Sequence, residues 1–133
     1  MLELIHQLVP EGPKTVGPFN HAVTAGDYHF ITGKMPTEPN DPTRIVRGGI
    51  EVETARVMDN LQLVLTGLDS GFDRVVFARV YLVNFQDFSA MNKIYESYFA
   101  PGKLPGRTCI GVTGLAVGAS VCLLYTSPSP RDS

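Results

Sequence analysis

Along this chain the apolar residues change their period several times, and each change marks an element. Residues 2–8 (LELIHQL) alternate loosely and then meet Pro10, Gly12 and Pro13, which predicts a short strand ending in a turn. Residues 21–25 (HAVTA) and 28–33 (YHFITG) are β-prone runs on either side of Gly26-Asp27, the pattern of a hairpin. The following KMPTEPNDPTRIVRGG reads as a loop, because three prolines and an Asn-Asp pair interrupt any ladder.

From Ile50 to Leu68 the period lengthens. Apolar Ile50, Val57, Met58, Leu61, Val64, Leu65 and Leu68 recur at three- and four-residue steps, while Glu51, Arg56, Asp59 and Gln62 fall elsewhere. An amphipathic helix follows, with Gly71 placed to stop it. Arg74–Val83 (RVVFARVYLV) is too short and too β-branched for another helix and reads as a central strand. Residues 86–99 return to helical spacing, with Phe88, Met91, Ile94, Tyr95, Tyr98 and Phe99 on one side and Pro101-Gly102 closing the helix. Residues 107–112 and 117–124 read as two more strands. The order β-β-β-α-β-α-β-β predicts an α+β fold: one mixed sheet with both helices packed on one face. If the helix-free face carries apolar residues, oligomerisation is the natural way to cover it.

Composition narrows the function classes. At 133 residues the chain has the length of one domain, with a core large enough to need no staple. A net charge of −2 gives no basic footprint for nucleic acid or a membrane surface. The apolar runs are far shorter than a membrane span. The start MLELIHQLVPEG has Glu3 and no basic region, so it does not read as a signal peptide, and with two cysteines, Cys109 and Cys122, a reduced, cytoplasmic setting is expected. Sequence signatures of zinc hydrolases, redox dithiols and serine hydrolases are missing, and PGKLPG lacks the spacing of a phosphate loop. His6, His21 and His29 are scattered without ligand spacing and read as structural or solvent-facing.

The informative stretch is LPGRTCIGV, residues 104–112. An arginine just inside a strand, after a Pro-Gly turn, is a guanidinium on a rigid base that can grip a carboxylate with two parallel hydrogen bonds. By itself it reads more readily as one side of a surface or interface salt bridge. It is not alone. GPFNHAV at 17–23, ITGKMP at 31–36, Asp59-Asn60 on the first helix, RVYLVNFQDFSAMNKIYESYF at 79–99 and PGRTCIGV at 105–112 occur in this order. Together they resemble the RidA (YjgF/YER057c/UK114) family of reactive-intermediate imine deaminases, from about Gly17 to Val121.

That resemblance implies a chorismate-mutase-like fold assembled as a homotrimer, with ligand clefts between subunits. It implies hydrolysis of 2-imino acids and enamines to 2-keto acids and ammonia without cofactor or metal. A trimer of the same family that binds small carboxylates without turnover is the alternative. Residue by residue, Arg107 matches the arginine that holds the substrate carboxylate, and Cys109 a pocket-wall cysteine. Asn92 matches an asparagine near the pocket. Phe19 stands where the family has tyrosine, Thr32 and Gly33 match a Ser-Gly pair at the substrate, and Lys34 replaces a glutamine. Read without the family, Phe19 and Cys109 are equally ordinary core residues, Thr32 a common strand residue, and Asn92 a partner for a nearby loop. RNA cleavage, also ascribed to some members, fits the acidic composition poorly.

The family pattern also places a water-directing glutamate in the last strand, at position 122, where this chain has Cys122. Residues 122–132, CLLYTSPSPRD, coincide with the in-frame translation of the adapter DNA of a transposase-based sequencing library. The expectation is therefore a natural domain over residues 1–121 and a non-native tail over 122–133, with a last strand that is truncated and a weakened sheet edge.

Overall fold

A computed structural model describes residues 2–15 and 17–129. Its elements are β1 (Leu4–Gln7), β2 (Ala22–Ala25), β3 (Tyr28–Lys34), β4 (Thr37–Glu38), β5 (Asp41–Ile45), α1 (Ile50–Gly67), β6 (Phe77–Leu82), α2 (Phe88–Glu96), β7 (Gly106–Gly111) and β8 (Val121–Pro128). Six strands form one sheet in the order β1-β2-β3-β8-β6-β7, antiparallel except for the parallel β6–β7 pair. The α+β arrangement expected from the sequence is present, and β6 is interior as expected. The predicted hairpin turns at Gly26, whose φ of 59° is left-handed.

Three expectations need correction. The 34–49 segment is not all loop, since β4 and β5 pair within it as a small separate ribbon. Helix α1 ends before Gly71: Leu68 N–H closes the last turn on Val64 and Leu65, and Asp69 takes the left-handed turn at φ 57°. The last strand is neither truncated nor at an edge. β8 runs eight residues between β3 and β6. Proline is tolerated because Pro128 sits at the strand's end, opposite Tyr28 of β3 and beyond the reach of β6, whose ladder stops at Thr126. Pro130 and the rest of the tail to Ser133 lie outside the described residues.

Helix α1 buries Val57, Met58, Leu61, Val64 and Leu65 completely, against Ile31, Val80, Leu82, Leu123 and Tyr125 from the sheet and Met91 and Tyr95 from α2. Its packing follows the three- and four-residue spacing legible in the sequence. The helix-free face carries exposed Phe30 and Ile110, with Phe77, Tyr81 and Leu124 around Arg79. No helix among the described residues is long and apolar enough to cross a membrane.

Candidate functional site

The expected site residues fall into two clefts. The first is built on β7 and α2. Arg107 is the second residue of β7, opposite Ala78 of β6, and therefore points to the helix side of the sheet. Its guanidinium carbon lies 4.9 Å from the ring centre of Tyr95 and 5.6 Å from that of Phe88, both from α2. Two aromatic faces hold the cation while leaving its hydrogen-bonding edge free. Among the described residues no carboxylate pairs with it. Asn92, Tyr95, Glu96, Leu104 and Pro105 complete a cleft of about 530 Å³ around it.

Asn92 does not bond a neighbouring loop: its Oδ1 is buried without a partner, as is the Tyr95 hydroxyl. Burial pushes the Tyr95 hydroxyl up to about 12, against the pull of Arg107, so it stays a neutral donor at ordinary pH. Cys109, two residues on, packs against the core as a free thiol, and burial raises its pKa while Arg107 opposes the rise. Tyr95 and Phe88 are the residues that sequence reasoning assigned only to a helix face. Their spacing to one side of α2 was legible, but their contact with Arg107 depends on the β7–α2 packing.

The second cleft lies at the end of β3. Phe19, Gly33, Lys34, Met35, Thr37, Asn60 and the 13–15 segment line a narrow cleft. His21 secures that segment from beneath. Its Nδ1 accepts from Val9 N at 2.8 Å and its Nε2–H donates to Pro13 O at 2.6 Å, which fixes the neutral tautomer, and burial lowers its pKa. Thr32 donates its hydroxyl to Asn20 O at 2.6 Å and its N–H to His21 O at 2.9 Å, so it holds the segment that follows Phe19 in place. A side chain at Gly33 would displace the Cys122 thiol, because a Cβ there would lie 2.8 Å from its Sγ.

A bulge between Ile31 and Lys34 breaks the alternation of β3 and turns Lys34 inward, leaving it 5% exposed. Burial lowers its pKa to about 8, and the one opposing influence is the Cys122 thiol. Burial in turn pushes that thiol up to about 11, so it is neutral at ordinary pH. Asn60, fully buried on α1, donates from Nδ2 to Met35 O at 3.0 Å and Thr37 O at 2.9 Å, while its Oδ1 has no partner.

The two clefts do not meet within one chain. Across the register Lys34–Leu123–Val80–Cys109 lie three strand spacings, which put β3 about 14 Å from β7. Among the described residues no group of three or more His, Cys, Asp or Glu is placed to hold a metal.

The family model described as Endoribonuclease L-PSP matches residues 10–123. A RutC family protein of Pyrococcus abyssi is 34% identical over 105 residues, covering 79% of this chain and 81% of its own. The RutC family protein UK114 of Drosophila melanogaster is 33% identical over 116 residues, covering 85% and 83%. Among solved structures, the yeast protein YEO7 superposes with a TM-score of 0.89 at 25% identity, covering 96% of this chain and 99% of its own.

Proposed function

The chain belongs to the RidA (YjgF/YER057c/UK114) family, and on that premise we propose that it takes small 2-imino acids and their enamines and hydrolyses them to 2-keto acids and ammonia. The observation that carries this reading is Arg107: a guanidinium held by two rings, without a carboxylate of its own, facing an open cleft.

Imine hydrolysis needs an anchored substrate, a water directed at the C=N carbon, and a proton for the departing nitrogen. Arg107 supplies the anchor by a bidentate grip on the carboxylate. Asn92 Oδ1 and the Tyr95 hydroxyl, both buried and unpartnered, offer an acceptor and a donor beside it. Phe19 and Gly33 supply the opposite wall, with the residue at 122 beside Gly33. Because the two walls stand about three strand spacings apart in one chain, the complete site needs a second copy, and the apolar helix-free face supports assembly as a homotrimer with clefts between subunits. No cofactor or metal enters the chemistry, and the setting is cytoplasmic. RNA cleavage is the weaker reading, since His21 and His29 are buried within the domain.

Position 122 decides the rate. The neutral Cys122 thiol is no base at ordinary pH, and lacking one costs on the order of 10²–10⁴ in rate. A binding role without turnover is the second reading, and Cys122 favours it for the chain as it stands. We further propose that residues 122–133 are non-native, read from adapter DNA after Val121. The support for this is the coincidence of CLLYTSPSPRD, residues 122–132, with translated adapter sequence. Recovering the codons for CLLYTSPSPRD from unamplified source DNA would overturn the tail proposal.

The function is tested by ammonia release from freshly generated 2-iminopropanoate, with Arg107→Ala beside the unmodified chain and both on a Cys122→Glu background. Loss of two to three charge-assisted hydrogen bonds lowers the rate about 10²–10³-fold. Equal rates would overturn the reading. Arg107-dependent binding of 2-oxobutanoate without ammonia release in the Cys122→Glu protein would establish the binding role instead.

A further inference from the structure

Lys34 is a buried cation that nothing among the described residues neutralises. The β3 bulge forces the side chain inward, it is 5% exposed, and no carboxylate there pairs with it. An unpaired ammonium out of water is costly unless a counter-charge arrives. The side chain nevertheless lines a cleft rather than a closed core, together with Lys14, Thr15 and Phe19. Asn60 lines the same cleft, and its Oδ1 is also buried and unpartnered. An ammonium has three donors, none of them bonded to a described residue, and a ligand carboxylate in the cleft can meet them.

We propose that the Lys34 cleft is an anion subsite, and that it selects ligands carrying a second carboxylate: 2-imino and 2-oxo dicarboxylic acids. The inference rests on the functional reading above. Arg107 of one copy holds the α-carboxylate and Lys34 of another holds the distal one. Gly33 and Phe19, which the family resemblance puts at the substrate, line the same cleft as Lys34, so a ligand at that wall lies within reach of the ammonium. A monocarboxylic ligand leaves Lys34 unpaired, and a dicarboxylic one does not. The lowering of the Lys34 pKa to about 8 fits a cation awaiting its partner, and a bound carboxylate reverses that shift.

The test compares equilibrium binding of 2-oxobutanoate and 2-oxoglutarate to the full chain by calorimetry near pH 7. The expected result is a preference of about tenfold or more for 2-oxoglutarate, the size of one added charge-assisted hydrogen bond. In Lys34→Met the ratio of the two affinities falls to about one. Because that variant could lose its fold, a second measurement uses the unmodified chain: nitrogen-detected titration of Lys34, whose pKa rises with 2-oxoglutarate and stays put with 2-oxobutanoate. Equal affinities in the unmodified chain, or a preference that survives Lys34→Met, would overturn the inference. Arg107→Ala separates the two readings. If it leaves 2-oxobutanoate binding intact, the functional reading fails, whereas the Lys34 ratio reports on the subsite alone.

Discussion

At one cleft the cation stands on an edge strand, half-buried, with Tyr95 and Phe88 against it. At the other it is turned inward from β3 by a bulge and closed in by α1 and the 13–15 segment. Neither Arg107 nor Lys34 has a carboxylate partner among the described residues. The difference lies in what burial does to each. A guanidinium is weakly hydrated and keeps its charge in any setting, so aromatic faces suffice to hold it. An ammonium is a strongly hydrated point charge, and burial alone brings Lys34 down to about 8. One cleft thus offers a permanent charge and the other a conditional one.

Placing an acid beside Lys34 sharpens that contrast most. Cys122→Glu is expected to raise 2-iminopropanoate hydrolysis by on the order of 10² or more. It should also lift Lys34 from about 8 back toward its usual range, measured by the same nitrogen titration. The dicarboxylate preference should weaken with it, since the introduced carboxylate would already supply the negative charge. An unchanged rate would mean that position 122 does not face the water.

The conditional charge has a signature in stability. Unfolded, Lys34 titrates near its ordinary 10.5, and folded near 8, so between these values the unfolded chain binds more protons. Stability therefore gains from Lys34 as pH rises through that window, by on the order of 3 kcal/mol at most. Cys122, raised from 9 to about 11, acts in the opposite sense over pH 9–11. The clean readout is the difference in urea midpoints between the unmodified chain and Lys34→Met, which should narrow from about pH 7.5 to about pH 10. Arg107→Met should show no such trend.

Asn60→Leu loosens the Lys34 cleft alone. Met35 O and Thr37 O lose their amide donors, and the expected cost is about 2 kcal/mol in chemical unfolding. The smallest effect is on the other side. Tyr95→Leu withdraws one face from Arg107 and should weaken 2-oxobutanoate binding about fivefold, the ~1 kcal/mol of a half-exposed cation–aromatic contact.

Much of the fold was legible because local signals agree with it. The helix spacing of 50–68, the turn at Gly26-Asp27 and the β-branched run at 74–83 each predict the element that forms. What was not legible depends on register. Alternation along YHFITG would point residue 34 the same way as exposed Phe30, and only the bulge, fixed by pairing with β8, turns it inward. Asn60 was visible as part of a motif, but its burial follows from two carbonyls brought to it from a segment more than twenty residues away. The Ser/Pro tail argued against a strand, whereas long-range pairing with β3 and β6 overrides composition there.

The position of β8 has a consequence for how the chain is made. Among the described residues, its eight are the only link in the sheet between β1-β2-β3 and β6-β7. Until they leave the ribosome, the nascent chain holds two sheet fragments with open edges facing one another and no strand to join them. Such pairing across long sequence separations is slow, and unpaired edges are where chains associate wrongly. The β8 segment is therefore where folding of this sheet is decided, and any change of reading after residue 121 alters the keystone of the sheet as well as its chemistry.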